Sequence, residues 1–433
     1  MKVHILGIGG IGLGGIAEYL LGCGFIISGS DVVKNAQVNR LESLGVKVYI
    51  NDTPLSVIDD ADVIIYSSAI KKGDVSFDYA IKQNKCMYSR SQVLGLLFKS
   101  YDFSIGIAGS HGKTTTTSMI ANVINYSKIP LLAFIGGEDK KLGNYVSTGK
   151  GVLLAEVCEY NKNIKDITAK LSVVLNVDDD HMDCYKTIKN LKNEFFSYLD
   201  RSKIKIINAD DVYLKEYNGK NVIGYGINTK CCYQGYNLSC KEGKYSFFVK
   251  DKNSKEHKVN LSVSGYHNVY NALASFAVCD YYLSISPDDI VKSLNLFSGV
   301  KRRFEEIGKI NNSIIIADYC HHPEEIKSTL ENINKVYNSD CLIVFQPHTY
   351  SRTKILFDKF VKLFNNKNVI IFKEYSAREE YDYLGSAKYL SEKLNKSVYI
   401  EEISLLKEVI KNSNKSYVFI LGAGDLYDKF KIE

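Results

Sequence analysis

The sequence lacks features that would assign it to several specialised classes of protein. None of its ten cysteines forms a C-x-x-C pair, which weakens a zinc or redox interpretation and leaves free thiols as the expectation. It also has no long block of like charge, since 55 Lys and Arg against 49 Asp and Glu leave a net charge of +6 spread along the chain. This balance argues against a nucleic-acid platform and is compatible with anionic small-molecule ligands.

Apart from the N-terminal segment, the sequence has no apolar run that approaches the roughly 18 residues of a membrane span. Residues 1–27 are apolar enough to be mistaken for a signal peptide. Glu18 interrupts them, however, and their glycines fall at a nucleotide-binding spacing. We therefore interpret this segment as folded core and expect a cytoplasmic protein that does not associate with membranes.

The chain has the length and pattern of a multidomain α/β protein. Its 433 residues predict about three domains. Strand-length apolar runs alternate with helical stretches, which predicts parallel sheets. We expect a Rossmann-like parallel sheet at 1–100, a central P-loop α/β domain at 101–298 and a Rossmann-like α/β domain at 299–433. Short alternating strands at 203–263 predict a small antiparallel part within the central domain.

A glycine fingerprint follows the first predicted strand, because residues 7–12 read GIGGIG and fit G-x-G-x-x-G. In a Rossmann fold, a pyrophosphate binds at the start of the next helix and an acidic residue after the second strand contacts a ribose. The residues predicted for this nucleotide site are Gly9, Gly10, Ile11, Gly12 and Asp31. The fingerprint alone leaves NAD, FAD and UDP-sugars open, although a dehydrogenase would not explain the second phosphate site described next.

The stretch 105–122, IGIAGSHGKTTTTSMIAN, predicts a second phosphate-binding loop. A buried strand, a glycine turn and a helix starting at Lys113 would direct backbone N–H groups and the positive helix end at a polyphosphate. Lys113 would reach the β- and γ-phosphates, and the Thr114 hydroxyl would bind Mg²⁺. Ile107 replaces the first glycine of the strict G-x-x-x-x-G-K-[ST] pattern, so the match is a shortened form. The residues predicted to bind phosphate are Gly109, Ser110, His111, Gly112, Lys113, Thr114 and Thr115.

Two other predicted strands of the central domain, VLLAE and LSVVLNV, lead into groups that suit a metal. The first ends at Glu156, and the second leads into a D-D-D-H motif that contains His181. Because the carboxyl ends of parallel strands face the ligand crevice, Glu156 and His181 are predicted to join Thr114 in holding Mg²⁺. The alternatives are a solvated strand end for Glu156 and a capping or core histidine for His181. Asp178 to Asp180 fit helix-start carboxylates better than metal ligands.

Amide and basic side chains mark the remaining candidate positions. Asn268 and Asn271 share one face at a helix start, where they could bind a base or ribose or simply cap the helix. In the third domain, His321, His348 and Arg352 follow predicted strands and therefore belong in a crevice. Imidazole and guanidinium groups there suit a carboxylate or phosphate ligand.

Taken together, the motifs occur in the order seen in the Mur ligases, and the chain resembles that family over nearly its whole length. These motifs are GIGGIGLGGIAEYL, GIAGSHGKTTTTSMIA, AEVCEY, DDDHMD, GYHNVYNALA, GVKRRFE, DYCHHPEEI, FQPHTYSRT and LGAGD. The resemblance implies an N-terminal UDP-sugar-binding domain, a central ATPase domain and a C-terminal domain that brings the amino acid.

The implied reaction is the first amino-acid addition in peptidoglycan assembly. L-alanine would be joined to the lactyl carboxylate of UDP-N-acetylmuramate at the expense of ATP, with Mg²⁺ and through an acyl phosphate. Closure of the third domain would exclude water from this intermediate. We expect a monomer or homodimer with no nucleic-acid partner.

The resemblance also assigns roles by position. Lys113 and Thr114 match the residues for ATP phosphates and Mg²⁺, and Glu156 and His181 match the second metal position. His267 and Asn268 match nucleotide contacts. The motif residues of the third domain that are expected at the cleft, including both catalytic and nucleotide-binding positions, are Arg303, Asp318, His321, His348 and Arg352.

One departure from the family pattern concerns the metal site, because Cys158, Glu159 and Tyr160 stand where bacterial relatives often read D-E-S. Two other interpretations of the whole chain remain open. Within the same enzyme class it could be the related ligase that attaches a murein tripeptide to UDP-N-acetylmuramate. From other classes it could be an NAD-binding oxidoreductase or a non-catalytic nucleotide sensor.

Overall fold

The protein is described by a computed structural model that covers residues 1–179, 182–241, 243–337, 340–377 and 379–430. Helices and strands alternate along the chain and build three sheets, of five, ten and six strands. The predicted fold class, α/β with a Rossmann-like sheet at each end and a P-loop domain between them, is confirmed.

The chain forms two compact units. The first contains 1–239, 245–263 and 267–298, and so holds the five-stranded sheet and most of the ten-stranded one. The second consists mainly of the chain from 299 onward and holds the six-stranded sheet.

The N-terminal sheet is entirely parallel, with strand order β3-β2-β1-β4-β5. Its central strand is buried at every position after Lys2, including His4, as expected for a parallel sheet covered on both faces. The strands are β1 (Lys2–Leu6), β2 (Ile26–Asp31), β3 (Lys47–Ile50), β4 (Val63–Tyr66) and β5 (Cys86–Ser89). The helices are α1 (Ile11–Gly22), α2 (Ala36–Ser43), α3 (Leu55–Asp60), α4 (Val75–Lys82) and α5 (Arg90–Ser100).

The central sheet has the order β15-β14-β13-β12-β11-β10-β6-β9-β7-β8. Its strands are β6 (Phe103–Ala108), β7 (Leu131–Asp139), β8 (Gly143–Ser147), β9 (Val152–Glu156), β10 (Leu171–Val174), β11 (Ile204–Asn208), β12 (Val222–Gly226), β13 (Tyr233–Lys241), β14 (Lys244–Lys250) and β15 (Glu256–Ser264). Its helices are α6 (Lys113–Tyr126), α7 (Met182–Tyr185), α8 (Ile188–Asp200), α9 (His267–Ala277) and α10 (Pro287–Asn295).

One prediction for this sheet is corrected. β11 and β12 were expected in an antiparallel part, but they continue the parallel sheet from β10. In that register Ile206 pairs with Val173, and both side chains are fully buried. A strand with apolar, buried residues fits the interior of a parallel sheet that is covered on both faces. Antiparallel pairing is present elsewhere in the sheet, between β7 and β8.

The first two sheets share one hydrophobic core. The same cluster contains Val3 and Ile5 from β1 and Leu153 and Ala155 from β9. Helix α1 packs on β7 at the point where the Tyr19 and Phe134 rings meet edge to face, with centroids 6.4 Å apart. These sheets therefore form one continuous body.

The C-terminal sheet has the order β16-β17-β21-β18-β19-β20 and is parallel except for the edge pair β16 and β17. The strands are β16 (Glu305–Ile310), β17 (Ser313–Asp318), β18 (Cys341–Phe345), β19 (Val369–Phe372), β20 (Ser397–Ile400) and β21 (Tyr417–Leu421). The helices are α11 (Pro323–Tyr337), α12 (Tyr350–Ile355), α13 (Phe357–Phe364), α14 (Ala387–Glu392), α15 (Ile403–Asn412) and α16 (Leu426–Phe430). Separate apolar clusters involve Ile371 and Ile370, neighbours on β19 whose side chains point to opposite faces of the sheet.

All ten cysteines are free thiols, as predicted. In the described part of the chain, no helix combines the length and the apolar character needed to cross a membrane.

Candidate active site

The predicted phosphate loop connects β6 to α6 and has the expected strand, turn and helix geometry. Gly109 and Gly112 both have positive φ angles, 135° and 83°. A β-carbon at Gly112 would lie 2.5 Å from Oδ1 of Asn271, so glycine is required here for space as well as for conformation. The loop is held by Asn176 after β10, whose Oδ1 accepts a hydrogen bond from the His111 N–H at 2.8 Å.

Lys113 lies inside this loop and forms an ion pair that the sequence analysis did not identify. Its Nζ donates to the carbonyl oxygens of Gly109 and Ser110 and lies 2.9 Å from Oε1 of Glu159. The Glu159 side chain is 0% exposed and that of Lys113 is 17% exposed. Because an uncompensated buried carboxylate is strongly unfavourable, the lysine and the glutamate stabilise each other's charged forms.

The segment after β9 gave a sequence signal that could have identified Glu159. In AEVCEYN, Glu159 is the first carboxylate after the strand, three residues beyond Glu156 at the strand end. The Tyr185 hydroxyl donates to the Glu159 carbonyl oxygen at 2.6 Å, which fixes the backbone of this segment.

Thr114 and Glu156 are adjacent, as the sequence predicted. The Thr114 hydroxyl donates to Oε2 of Glu156 at 3.1 Å, and the other carboxylate oxygen accepts from the Gly136 N–H. Thr114 is buried, while Thr115 and Glu156 are partly exposed. A hydroxyl and a carboxylate at the start of α6 are oxygen donors of the kind that Mg²⁺ uses when phosphates and water complete its shell.

The predicted third metal ligand, His181, lies outside the described residues. Within the described ranges, no group of three or more His, Cys, Asp or Glu side chains is arranged to hold a metal ion. Asp178, just before this motif, instead supports the loop. Its N–H donates to the Ser110 hydroxyl at 2.9 Å, and its Oδ2 lies 3.1 Å from Nε2 of His111.

The two asparagines of α9 are buried, and their side chains form hydrogen bonds within the protein. Asn268 and Asn271 are each 5% exposed, and Nδ2 of Asn271 donates to Oδ1 of Asn268 at 3.0 Å. Oδ1 of Asn271 accepts from the Thr116 hydroxyl at 3.2 Å, which joins α9 to α6. His267, the first residue of α9, is exposed. Among His267, Asn268 and Asn271, His267 is therefore the residue that is accessible to a nucleotide from solvent.

The predicted nucleotide site of the N-terminal sheet is a glycine turn between β1 and α1. Gly10 caps α1, so Ile11 and Gly12 form the first helical turn. The N–H of Gly9 donates to Oδ2 of Asp31 at 2.9 Å, and Oδ1 of Asp31 accepts from the Val32 N–H at 2.8 Å. The Asp31 carboxylate thus organises the turn itself from the end of β2.

In the C-terminal unit, the predicted imidazole and guanidinium groups do lie together. Nη1 of Arg352 lies 2.9 Å from Nδ1 of His348, and the His321 and His348 ring centroids are 5.6 Å apart. Burial, with the charges of the neighbouring His321 and Arg352, lowers the pKa of His348 to about 4. Burial also lowers the pKa of His321. The imidazole of His348 is therefore neutral at pH 7, and Arg352 provides positive charge beside it.

Arg303 and Asp318 lie at the same end of the C-terminal sheet. The Arg303 guanidinium stacks over the Tyr319 ring, with 5.3 Å between the guanidinium carbon and the ring centroid. Asp318 ends β17, and its two oxygens accept from the N–H groups of Phe304 and Cys320 at 3.0 and 2.9 Å. Burial raises the pKa of Asp318, while the charge of Arg303 opposes that rise.

These features define an α/β protein with a phosphate loop and a second glycine turn, and comparison with known families shows its class. The models of the Mur ligase family catalytic domain, the Mur ligase middle domain and the Mur ligase glutamate ligase domain match residues 2–102, 107–279 and 302–424. The chain belongs to the Mur ligase family.

Individual relatives match over almost the whole chain. The UDP-N-acetylmuramate–L-alanine ligases of Acetivibrio thermocellus and Aquifex aeolicus are each 36% identical over 98% of this chain, covering 94% and 95% of their own lengths. The crystal structure of a UDP-N-acetylmuramate–alanine ligase from Thermotoga maritima shares the fold. Its TM-score is 0.82 at 24% identity, with 99% of this chain and 98% of that one covered.

Proposed function

We propose that this protein joins L-alanine to the lactyl carboxylate of UDP-N-acetylmuramate, using ATP, in peptidoglycan synthesis. The observation that carries the proposal is the full-length similarity to ligases of that activity at 36% identity. The phosphate loop supports it, because a Gly-Lys-Thr turn with a nearby carboxylate suits phosphoryl transfer and has no use in hydride transfer.

The reaction proceeds in two steps. The lactyl carboxylate attacks the γ-phosphorus of ATP, releasing ADP and leaving an acyl phosphate whose oxygen is now a good leaving group. The amine of L-alanine then attacks the carbonyl carbon, inorganic phosphate departs, and the nitrogen loses a proton as the amide forms.

The first step brings two anions together, so positive charge is the main catalytic requirement. Lys113 supplies it at the centre of the loop, where its ammonium is paired with Glu159. Thr114 and Glu156 would hold Mg²⁺, joined by His181 as the sequence motif implies. When bound, this ion would neutralise charge on the phosphate oxygens.

The second step needs an amino acid held by its carboxylate and a neutral amine. Arg352 is suited to the carboxylate because a guanidinium forms paired charge-assisted hydrogen bonds. His348 orients Arg352 through the 2.9 Å contact and, being neutral at pH 7, adds no competing positive charge near the amine. We expect Arg352→Ala to raise the apparent KM for L-alanine more than that for ATP. Equal effects on both would remove Arg352 from the amino-acid site.

The deciding experiment measures phosphate release with UDP-N-acetylmuramate and ATP across a panel of L-alanine, glycine, L-serine and a murein tripeptide. Release that is fastest with L-alanine supports the proposal, whereas preference for the tripeptide would assign the related peptide ligase. Nucleotide binding without turnover, or a nicotinamide-dependent absorbance change, would point to a sensor or an oxidoreductase. Omitting Mg²⁺ should abolish release, and light scattering during the same work distinguishes a monomer from a homodimer.

A further inference from the structure

A cavity of about 420 Å³ lies in the central domain, between the short helical segment Tyr160–Asp166 and helices α7 and α8. This volume is in the range of small-molecule sites. Each of the eight side chains in its wall carries a polar or ionisable group, and none belongs to the phosphate loop or to the glycine turn after β1. The cavity therefore suits a small polar ligand that is distinct from the substrates considered above.

Two ammonium groups of the cavity wall are available to a ligand. Within the described ranges, Lys162 forms no ion pair. Lys165 has a distant carboxylate partner in Glu194, since its Nζ lies 3.7 Å from Oε2. The Lys165 side chain is 57% exposed, so its ammonium can also contact a molecule in the cavity.

Arg201, the C-cap residue of α8, adds a third cation behind the wall. Its Nη1 donates to the hydroxyl of Ser197, a wall residue, at 3.1 Å, and its other N–H groups donate to backbone carbonyl oxygens. The acidic residue of the segment, Asp166, accepts from the Ser91 hydroxyl and is not part of the wall. Three cations therefore surround a cavity whose wall contains one carboxylate, that of Glu194, and this balance favours an anion.

Uncharged hydrogen-bond donors complete the wall at Asn190, Asn193 and Ser197. Nδ2 of Asn190 also donates to the Tyr185 carbonyl oxygen at 2.8 Å, which fixes the end of α7 against the start of α8. Ammonium, amide and hydroxyl groups donate to carboxylate and phosphate oxygens, and the bonds from ammonium groups are the strongest of these. With two ammonium groups in the wall, the best-matched ligand is a small dianion.

The cavity wall is also connected to Glu159, the ion-pair partner of Lys113. The Glu159 carbonyl oxygen accepts from the Tyr185 hydroxyl at 2.6 Å and from the Lys162 N–H at 3.0 Å, and both donors belong to wall residues. Asn161 and Lys162 have φ angles of 51° and 59°, which residues other than glycine rarely adopt. A ligand that pairs with Lys162 would therefore stabilise the backbone that places Glu159 beside Lys113.

We propose that this cavity is an effector site for a small dianion, a dicarboxylate or a phosphate monoester, and that its occupancy strengthens nucleotide binding at the Lys113 loop. The ammonium groups of Lys162 and Lys165 pair with the two charges, and the amide and hydroxyl groups bind the remaining oxygens. Because the bound dianion orders the segment that carries Glu159, less ordering is left for the nucleotide to induce.

Cys184 provides a direct measurement of occupancy, because its partly exposed thiol lies in the cavity wall. We expect succinate or glycerol 2-phosphate to slow the alkylation of Cys184 by iodoacetamide at least about 5-fold near saturation, as measured by peptide mass spectrometry. Exposed Cys86 should react as before, and uncharged succinamide should give no protection. Protection by one of the two dianions identifies the chemical source, whereas protection by neither overturns the proposal.

Variants of the two lysines test whether they hold the dianion. Lys162→Asn and Lys165→Gln each remove one charge, and asparagine tolerates the left-handed conformation of position 162. Each should raise the dianion concentration that half-protects Cys184 by about 5-fold. Lys189→Gln, which removes an exposed cation of α8 outside the cavity wall, is the matched control and should leave that concentration unchanged. Unchanged protection in both wall variants would overturn the assignment, and thermal unfolding checks that they are folded.

Calorimetric titration with ADP tests the effector role. A saturating dianion should raise the ADP affinity of the wild type about 5-fold and should have no effect on the double variant Lys162→Asn/Lys165→Gln. By reciprocity, ADP should strengthen the protection of Cys184 by the same factor. Protection of Cys184 with no change in ADP affinity would overturn the effector role. Failure of the wild type to bind ADP would instead count against the proposed function, while the alkylation experiment would still decide whether the cavity binds a dianion.

Discussion

The two glycine turns of the first unit share a strand–turn–helix backbone but carry different side chains. Each follows a buried strand and opens a helix whose N-terminus has a glycine cap and no side-chain capping hydrogen bond. The turn after β1 is organised by a carboxylate, Asp31, and receives its cation from another helix through Arg90. The turn after β6 carries its own cation, Lys113, and hydroxyl, Thr114, next to the carboxylate Glu156. The first arrangement suits holding a diphosphate, and the second suits breaking a phosphate bond.

The sharpest test of this contrast is removal of the lysine from the second turn. Lys113→Ala should reduce kcat by about 150-fold or more, which corresponds to about 3 kcal/mol or more of transition-state stabilisation. Because the substitution leaves Glu159 buried without its cation, it should also destabilise the fold. The double variant Lys113→Ala/Glu159→Gln should recover thermal stability without recovering turnover. Unimpaired phosphate release by either variant would end the assignment of the second turn to chemistry.

Glu156 is the next largest expected effect. Glu156→Gln keeps the size of the side chain and its hydrogen bonding to Thr114 but loses the charge that attracts a cation. We expect the Mg²⁺ concentration for half-maximal activity to rise about 10- to 100-fold. Glu216→Gln, at an exposed ion pair with Lys192, serves as the matched control and should leave the Mg²⁺ dependence as it is. An unaltered Mg²⁺ titration for Glu156→Gln would place the metal elsewhere.

Glu159 should act through Lys113. Glu159→Gln removes one charge of the ion pair, so the ammonium loses the partner that positions it, and kcat/KM for ATP should fall about tenfold. In the Lys113→Ala background the same substitution should cost almost nothing further, since its effect passes through the missing lysine. Additive losses in the double variant would mean that Glu159 contacts the reactants independently.

The smallest effect is expected at the first turn. Asp31→Asn retains an oxygen that can accept from the Gly9 N–H but loses the charge, so the apparent KM for the UDP-sugar should rise about fivefold with kcat unchanged. Steady-state kinetics with each substrate varied in turn provide the measurement. A fall in kcat comparable to that of Lys113→Ala would erase the distinction between a holding turn and a reacting turn.

Local pattern was sufficient to predict both turns and most of the strands. Apolar runs bounded by glycine indicated β1, β6 and β9, and the positive φ angles of Gly109 and Gly112 follow from the tight turn that a Gly-Lys-Thr helix start requires. The meeting of His321, His348 and Arg352 was also predictable, because the carboxyl ends of parallel strands share one edge of a sheet, here those of β17 and β18 on either side of β21.

Contacts that depend on packing between distant segments could not be read from the sequence. Nothing in the local pattern at Arg90 places its guanidinium against Gly12, and the partnership of Lys113 with Glu159 joins a loop to a different strand end. The parallel pairing of β11 was missed because short strands separated by glycine and asparagine resemble hairpins, and the pairing partner is chosen by the buried face. Similarly, Asn268 and Asn271 are held by each other and by α6, which helix-start propensity alone does not reveal.

The shared core of the first two sheets has a consequence for how the polypeptide can be divided. Although the Rossmann-like sheet ends near residue 100, the side of α1 around Gly15 and Tyr19 is covered by Phe134 and Tyr145 from the next sheet. A truncated chain that ends near residue 100 would expose the apolar side of α1 to water and should aggregate or bind chaperones. During synthesis, the first hundred residues would therefore complete their folding only after β7 and β8 have left the ribosome.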